Sequence, residues 1–153
     1  MHGKEVLDHI QMLKEAGAKI TEEKRDGYHR IYIKGDKLKV EITISPNDWL
    51  GFELQVESNG IYITYSSDTD LYDINHPEYS SLVKAVEDEI VRFLDALRDN
   101  EAKLGVIKRK TVLLFPASDG FTVITKGRFI TKIQKLKNVD QLLSRGNFTS
   151  LEM

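Results

Sequence analysis

The sequence contains no cysteine, which excludes a disulfide framework, a cysteine nucleophile and any thiolate-bound metal. Proline is scarce, with three in 153 residues. No Pro/Gly/Ser-rich stretch marks a linker and no internal repeat is visible, so residues 1–153 read as a single α+β domain. Long apolar runs are missing too. Stretches such as Val112–Phe115 are far too short to span the ~30 Å hydrocarbon core of a bilayer. The opening residues, MHGKEVLDHI, lack the apolar centre of a secretory signal. These absences lead us to expect a cytoplasmic protein with no membrane partner.

Motifs that carry chemistry are absent as well. There is no GxSxG elbow, no Walker A loop and no GxGxxG turn, and the glycines fall at turn or cap positions. The histidines, His2, His9, His29 and His76, form neither an HxH nor an HExxH pair, so no local pair begins a zinc site. The expectation is a protein without cofactor, metal or catalytic residues.

What the chain does contain is charge, and it is segregated. Residues 41–101 hold 14 Asp/Glu against 3 Lys/Arg, a balance of −11. Residues 102–137 hold 9 Lys/Arg and one acid, Asp119, a balance of +8. Such segregation governs what a surface attracts. Either the two regions serve a basic and an anionic partner, or they neutralise each other within the fold or between two copies in a homodimer.

The hydrophobic periods give the architecture. Val6, Leu7, Ile10 and Leu13 recur at helical spacing and Gly17 is placed to end that helix. The period then changes to two. Leu38, Val40, Ile42 and Ile44 alternate with polar residues, as do Leu50, Phe52, Leu54 and Val56, the pattern of strands with one wet face. Asp26-Gly27 and Asn59-Gly60 suit tight hairpins, with Gly35-Asp36 a weaker signal. A five-stranded meander is predicted at roughly 19–25, 28–34, 37–45, 50–58 and 61–66. An amphipathic helix from Tyr79 to Asp99 follows, then three strands, KTVLLF, FTVIT and RFITKIQKL, and a short helix over Val139–Arg145 with Asn138 as its cap. The order is α-βββββ-α-βββ-α: an antiparallel sheet, with a five-stranded meander plus a three-stranded C-terminal segment, packed against helices.

The segment DTDLYDINHPE (Asp68–Glu78) gathers three aspartates, a histidine and a glutamate. It fails as a calcium loop, because Tyr72 stands where an oxygen ligand is needed, Asp73 where glycine is needed and Tyr79 where glutamate is needed. It also fails as the Asp-x-Asp site of haloacid-dehalogenase-like phosphatases, since Leu71-Tyr72 replace that family's Gly-Thr. Its second half reads as a helix start, with Asn75 as cap, Glu78 completing a capping box and Pro77 in the first turn. Asp68, Asp70 and Asp73 then form an acidic loop beside a sheet edge.

Recognition of a protein partner is the expected role, with Asp68, Asp70, Asp73, Glu53, Glu57 and Trp49 as contact residues for a basic partner. Trp49 is the only tryptophan, and it either anchors an interface or plugs the core beneath its loop. The element order resembles, in layout, that of secretion chaperones, with five leading strands where that family has three. The description of a compact, acidic, cofactor-free module also resembles toxin-neutralising immunity proteins. Two alternatives stand beside this reading. One is a nucleic-acid-binding accessory protein using Lys108, Arg109, Lys110, Arg128, Lys132 and Lys135, with Tyr28, Arg30, Tyr32 and Tyr62 as a conceivable stacking face. The other is a small hydrolase built from scattered carboxylates.

Overall fold

A computed structural model describes residues 3–45, 49–69 and 75–153. In chain order the elements are α1 (Lys4–Glu15), β1 (Ile20–Arg25), β2 (Tyr28–Lys34), β3 (Leu38–Ile44), β4 (Leu50–Ser58), β5 (Ile61–Asp68), α2 (Tyr79–Arg98), β6 (Lys103–Ile107), β7 (Lys110–Ala117), β8 (Gly120–Lys126), β9 (Thr131–Leu136), α3 (Asp140–Leu143) and β10 (Asn147–Ser150). The fold is α+β with two antiparallel sheets. The first five strands form the expected meander, β1-β2-β3-β4-β5, and the later strands form a second sheet in the order β10-β6-β7-β8-β9. The C-terminal part thus has five strands where the sequence pattern gave three, and the two sets do not merge into one sheet.

The meander follows its alternation. Ile31 and Ile33, then Val40 and Ile42, then Phe52, Leu54 and Val56, point to one side and are buried. Register keeps them in cross-strand rows, such as Ile31–Ile42–Phe52. Asp26 and Gly27 (φ 54° and 83°) and Asn59 and Gly60 (φ 51° and 79°) form the two predicted tight turns, both central residues taking the positive φ that such hairpins need.

Helix α2 packs against the first helix, β4 and β7, and its apolar arc (Val83, Val86, Ile90, Phe93, Leu94 and Leu97) is fully buried. Phe93 joins the layers. Its ring lies 5.1 Å from Phe52 of the first sheet and 5.1 Å from Phe115 of the second, and Tyr65 closes the cluster at 5.7 Å from Phe115. Such tilted and edge-on pairs add to the burial of the rings themselves. On its far side the second sheet has a smaller core of Val112, Leu114, Val123 and Val139, flanked by Phe121, Leu136, Leu142, Leu143 and Phe148. The central strands β7 and β8 are therefore covered on both faces, while β9 and β10 at the edges have no buried residue.

Two local expectations are corrected. The N-cap position of α2 is Glu78 and not Asn75. The helix begins at Tyr79, after Asn75 and Pro77, and its N-terminal neighbour Glu78 makes no side-chain cap. Instead the Glu78 N–H donates to His76 Nδ1 at 3.1 Å. The last helix has four residues, Asp140–Leu143, where seven were expected, although Asn138 Oδ1 does accept from the Asp140 N–H at 2.8 Å.

Candidate functional site

Because the first sheet buries one face only, period-two alternation delivers every other residue of five strands to the opposite face. The rows across it are fixed by register. One runs Thr21–Tyr32–Glu41–Glu53–Ser66, its neighbour Lys34–Lys39–Gln55–Thr64, and a third Glu23–Arg30–Thr43–Gly51–Asp68. Tyr28 and Tyr62, 44% and 49% exposed, share this face by parity. It is shallowly concave, with a depression of about 510 Å³ lined chiefly by Thr21, Tyr32, Lys34, Glu41, Glu53 and Gln55.

The charges on this face are arranged against local stability. Glu41 is directly opposite Glu53, and Lys34 is directly opposite Lys39. Like charges in such positions repel. None of these four side chains has an ion pair among the described residues. The depression therefore has a carboxylate end and an ammonium end, with the Tyr32 ring beside them.

Three of the five expected acidic contact residues lie along this face, and only Glu53 lines the depression. Glu53 and Glu57 lie on the outer side of β4, and Asp68 is at the end of β5 opposite Gly51. Asp70 and Asp73 lie outside the described residues. Trp49 is half-buried and sits on this face. A Cβ added to Gly51 would stand 2.3 Å from its ring, so the indole covers the bare backbone of an outward-pointing glycine. It is not a core plug. Glycine at position 51 is what lets the outer edge of the ring come this close to the strand.

Of the basic residues, Lys108, Arg109, Lys110, Arg128 and Lys132 gather in and beside the two turns at one end of the second sheet. Lys135 does not join them: it lies further along β9 and donates to Thr122 Oγ1 at 2.5 Å. Tyr28, Arg30, Tyr32 and Tyr62 share the outer face of the first sheet with Glu41 and Glu53. Tyr62 lies nearest the cationic end, its carbonyl accepting from Lys126 Nζ, while the Glu41 and Glu53 carboxylates stand among the other members of that stacking face.

The remaining polar chemistry holds helices together. Glu87, only 4% exposed, was hidden within the apolar arc of α2. Its carboxylate accepts from the Gly3 N–H at the start of α1 and lies 3.2 Å from Lys84 Nζ, while Lys84 also reaches Glu5 at 2.7 Å and Asp88 at 3.2 Å. His9 Nδ1 is 2.5 Å from Asp95 Oδ1. The Lys84 ammonium lowers the Glu5 pKa, and Lys14 lowers that of Glu22 by a hydrogen bond. Glu5, and then Glu87, raise that of Lys84; burial, and then Glu89, push the Tyr65 hydroxyl up; Asp99 raises that of Arg98. Each shift drives its group further into the charge state it already holds at neutral pH, the reverse of what an acid–base catalyst needs. Among the described residues no group of three His, Asp or Glu is placed to hold a metal ion, and no helix is long and apolar enough to cross a membrane.

No known protein family, curated protein or solved structure matches the chain.

Proposed function

We propose that this protein is a non-catalytic recognition module, of the toxin-immunity or secretion-chaperone kind, that binds a protein partner through the outer face of its first sheet. The observation that carries the reading is the directly opposed Glu41–Glu53 pair, neither member of which makes an ion pair among the described residues, on an open, concave, tyrosine-bearing face. A basic side chain of a partner between the two carboxylates would replace their repulsion with attraction. Tyrosine and tryptophan at the same face supply large contact area at low entropic cost. A polynucleotide is disfavoured on this face because the central carboxylates repel phosphate.

The test is a photo-crosslinking residue at Tyr32, with one at Asp119 as control, in the native host. The expected result is a discrete crosslinked polypeptide at Tyr32, absent at Asp119 and lost when Glu41→Lys and Glu53→Lys are combined in a protein of unchanged melting temperature. A Tyr32 crosslink that survives this charge reversal would show that the carboxylates do not drive recognition, and no crosslink at Tyr32 would move recognition to another face.

A further inference from the structure

We propose that the end of the second sheet formed by the β6–β7 and β8–β9 turns docks onto an anionic lipid surface. Phe129 and Ile130 enter the headgroup boundary, and the surrounding cations face lipid phosphates and carboxylates. This is attachment to a bilayer surface, a different matter from spanning one.

The first observation is apolar exposure. Phe129 and Ile130 are consecutive, sit in the loop between β8 and β9, and are 87% and 74% exposed, the two most exposed large hydrophobic residues described. The Arg128 guanidinium lies 5.3 Å from the Phe129 ring centroid, a cation held beside the apolar tip.

The second is charge of one sign. Antiparallel order places the β6–β7 turn, the β8–β9 turn and the chain entering β10 at the same end of the sheet. That end carries Lys108, Arg109, Lys110, Arg128 and Lys132, and Arg145 adds a further cation before β10; Lys126, also at this end, is turned to the first sheet, its ammonium donating to the Tyr62 carbonyl. Between Lys103 and Lys137 the one acid is Asp119, in the β7–β8 turn at the opposite end. Cations ringing an exposed apolar tip are what an anionic interface binds: lipid charge attracts the ring and the acyl boundary accepts the tip.

The third is backbone strain. Lys108 and Arg109 both have positive φ, 48° and 67°, in the kind of two-residue turn that elsewhere in this chain uses Asp26-Gly27 and Asn59-Gly60. Side chains with a Cβ are disfavoured in this conformation, which Asn and Gly accept readily. Two long cations occupy positions where the backbone favours Asn-Gly, and strain of this kind directs attention to what the side chains do. Against a polynucleotide, Ile130 offers no ring to stack on a base, and the cations surround one tip where a phosphate backbone would need a track of them.

The test is co-sedimentation of the full chain at low salt with vesicles of phosphatidylcholine alone and of phosphatidylcholine doped with phosphatidylserine. Binding is expected only to the doped vesicles, and it should weaken roughly tenfold or more in Phe129→Ser/Ile130→Ser. These side chains are so exposed that the fold is expected to be unchanged by circular dichroism. Lys108→Asn/Arg109→Gly should also weaken vesicle binding by roughly tenfold or more while raising the melting temperature, because it relieves the turn. No sedimentation with the doped vesicles, or unchanged sedimentation of both variants, would overturn the proposal. So would binding of duplex DNA by the unmutated chain with no sedimentation on the doped vesicles, which would assign this end to nucleic acid.

Discussion

Two five-stranded antiparallel sheets in one chain solve the problem of burial differently. The first is a meander that packs one face and leaves the other wet, so adjacent residues have opposite fates: Leu54 is fully buried while Gln55 lies on the surface face. The second is sandwiched. In β7, Thr111–Phe115 are all buried, with Leu113 facing the main core and Leu114 the smaller one. Strand pairing alone therefore does not make a surface available for recognition. The free face of the first sheet exists because no helix covers it. In the second sheet the central strands β7 and β8 have both faces packed, which leaves the edge strands and the ends exposed.

The residue shared by the two sheets should give the largest effect. Phe93→Ala removes the ring between Phe52 and Phe115 and is expected to cost about 3–5 kcal/mol, with hydrogen exchange accelerating in both sheets. Acceleration confined to one sheet would show that the layers are not coupled through this ring. Next comes paired alanine scanning. Leu113→Ala and Leu114→Ala should each cost about 2–4 kcal/mol. In the first sheet only Leu54→Ala should be severe, with Gln55→Ala within about 0.5 kcal/mol of wild type. Denaturant titration reads all four, and a harmless Leu114→Ala would erase the distinction between the sheets.

Smaller effects sharpen the comparison. Glu87→Ala leaves the Gly3 N–H without its acceptor and should cost about 1–2 kcal/mol, with α1 exchanging faster than either sheet. Glu41→Thr ends the repulsion from Glu53 and should stabilise by about 0.2–1 kcal/mol while weakening partner crosslinking. No comparable gain is expected from trimming an adjacent residue of β7. The smallest effect is one of pH. The Glu22 carboxyl, held below its ordinary 4.5 chiefly by Lys14, stabilises the fold fully above that value, and the contribution is lost as pH falls through the lowered pKa. Wild type should melt about 1–2 °C above Glu22→Gln near neutrality, and the gap should close on acidification.

How much of this was legible in the sequence follows from the same contrast. One-sided burial writes itself as alternation, and Asp26-Gly27 and Asn59-Gly60 punctuate the meander, so its five strands were located to within two residues of their observed ends. The arc of α2 was equally plain, apart from Glu87, whose burial depends on a backbone N–H 84 residues away that no local pattern records. The second sheet hides itself. A strand buried on both faces has no period, and β6 ends in a Lys108-Arg109 turn lacking the residues that usually announce one. β10 has four residues and is held through long-range pairing with β6, where Phe148 packs on Gly105. In the candidate site, alternation placed Glu53 and Glu57 on the wet face. The pairing of Glu53 with Glu41, and the placement of Trp49 over Gly51, needed strand register and loop geometry.

The position of Trp49 has a practical consequence. It is the sole tryptophan, and its indole lies on the outer face of the first sheet, so the protein carries its own optical probe at the proposed contact surface. Excitation selective for indole would report arrival of a partner as a blue-shifted emission and reduced quenching by iodide, with no label attached. Vesicles engaging the Phe129–Ile130 end should leave that emission unchanged, so one fluorescence titration would separate occupancy of the two surfaces.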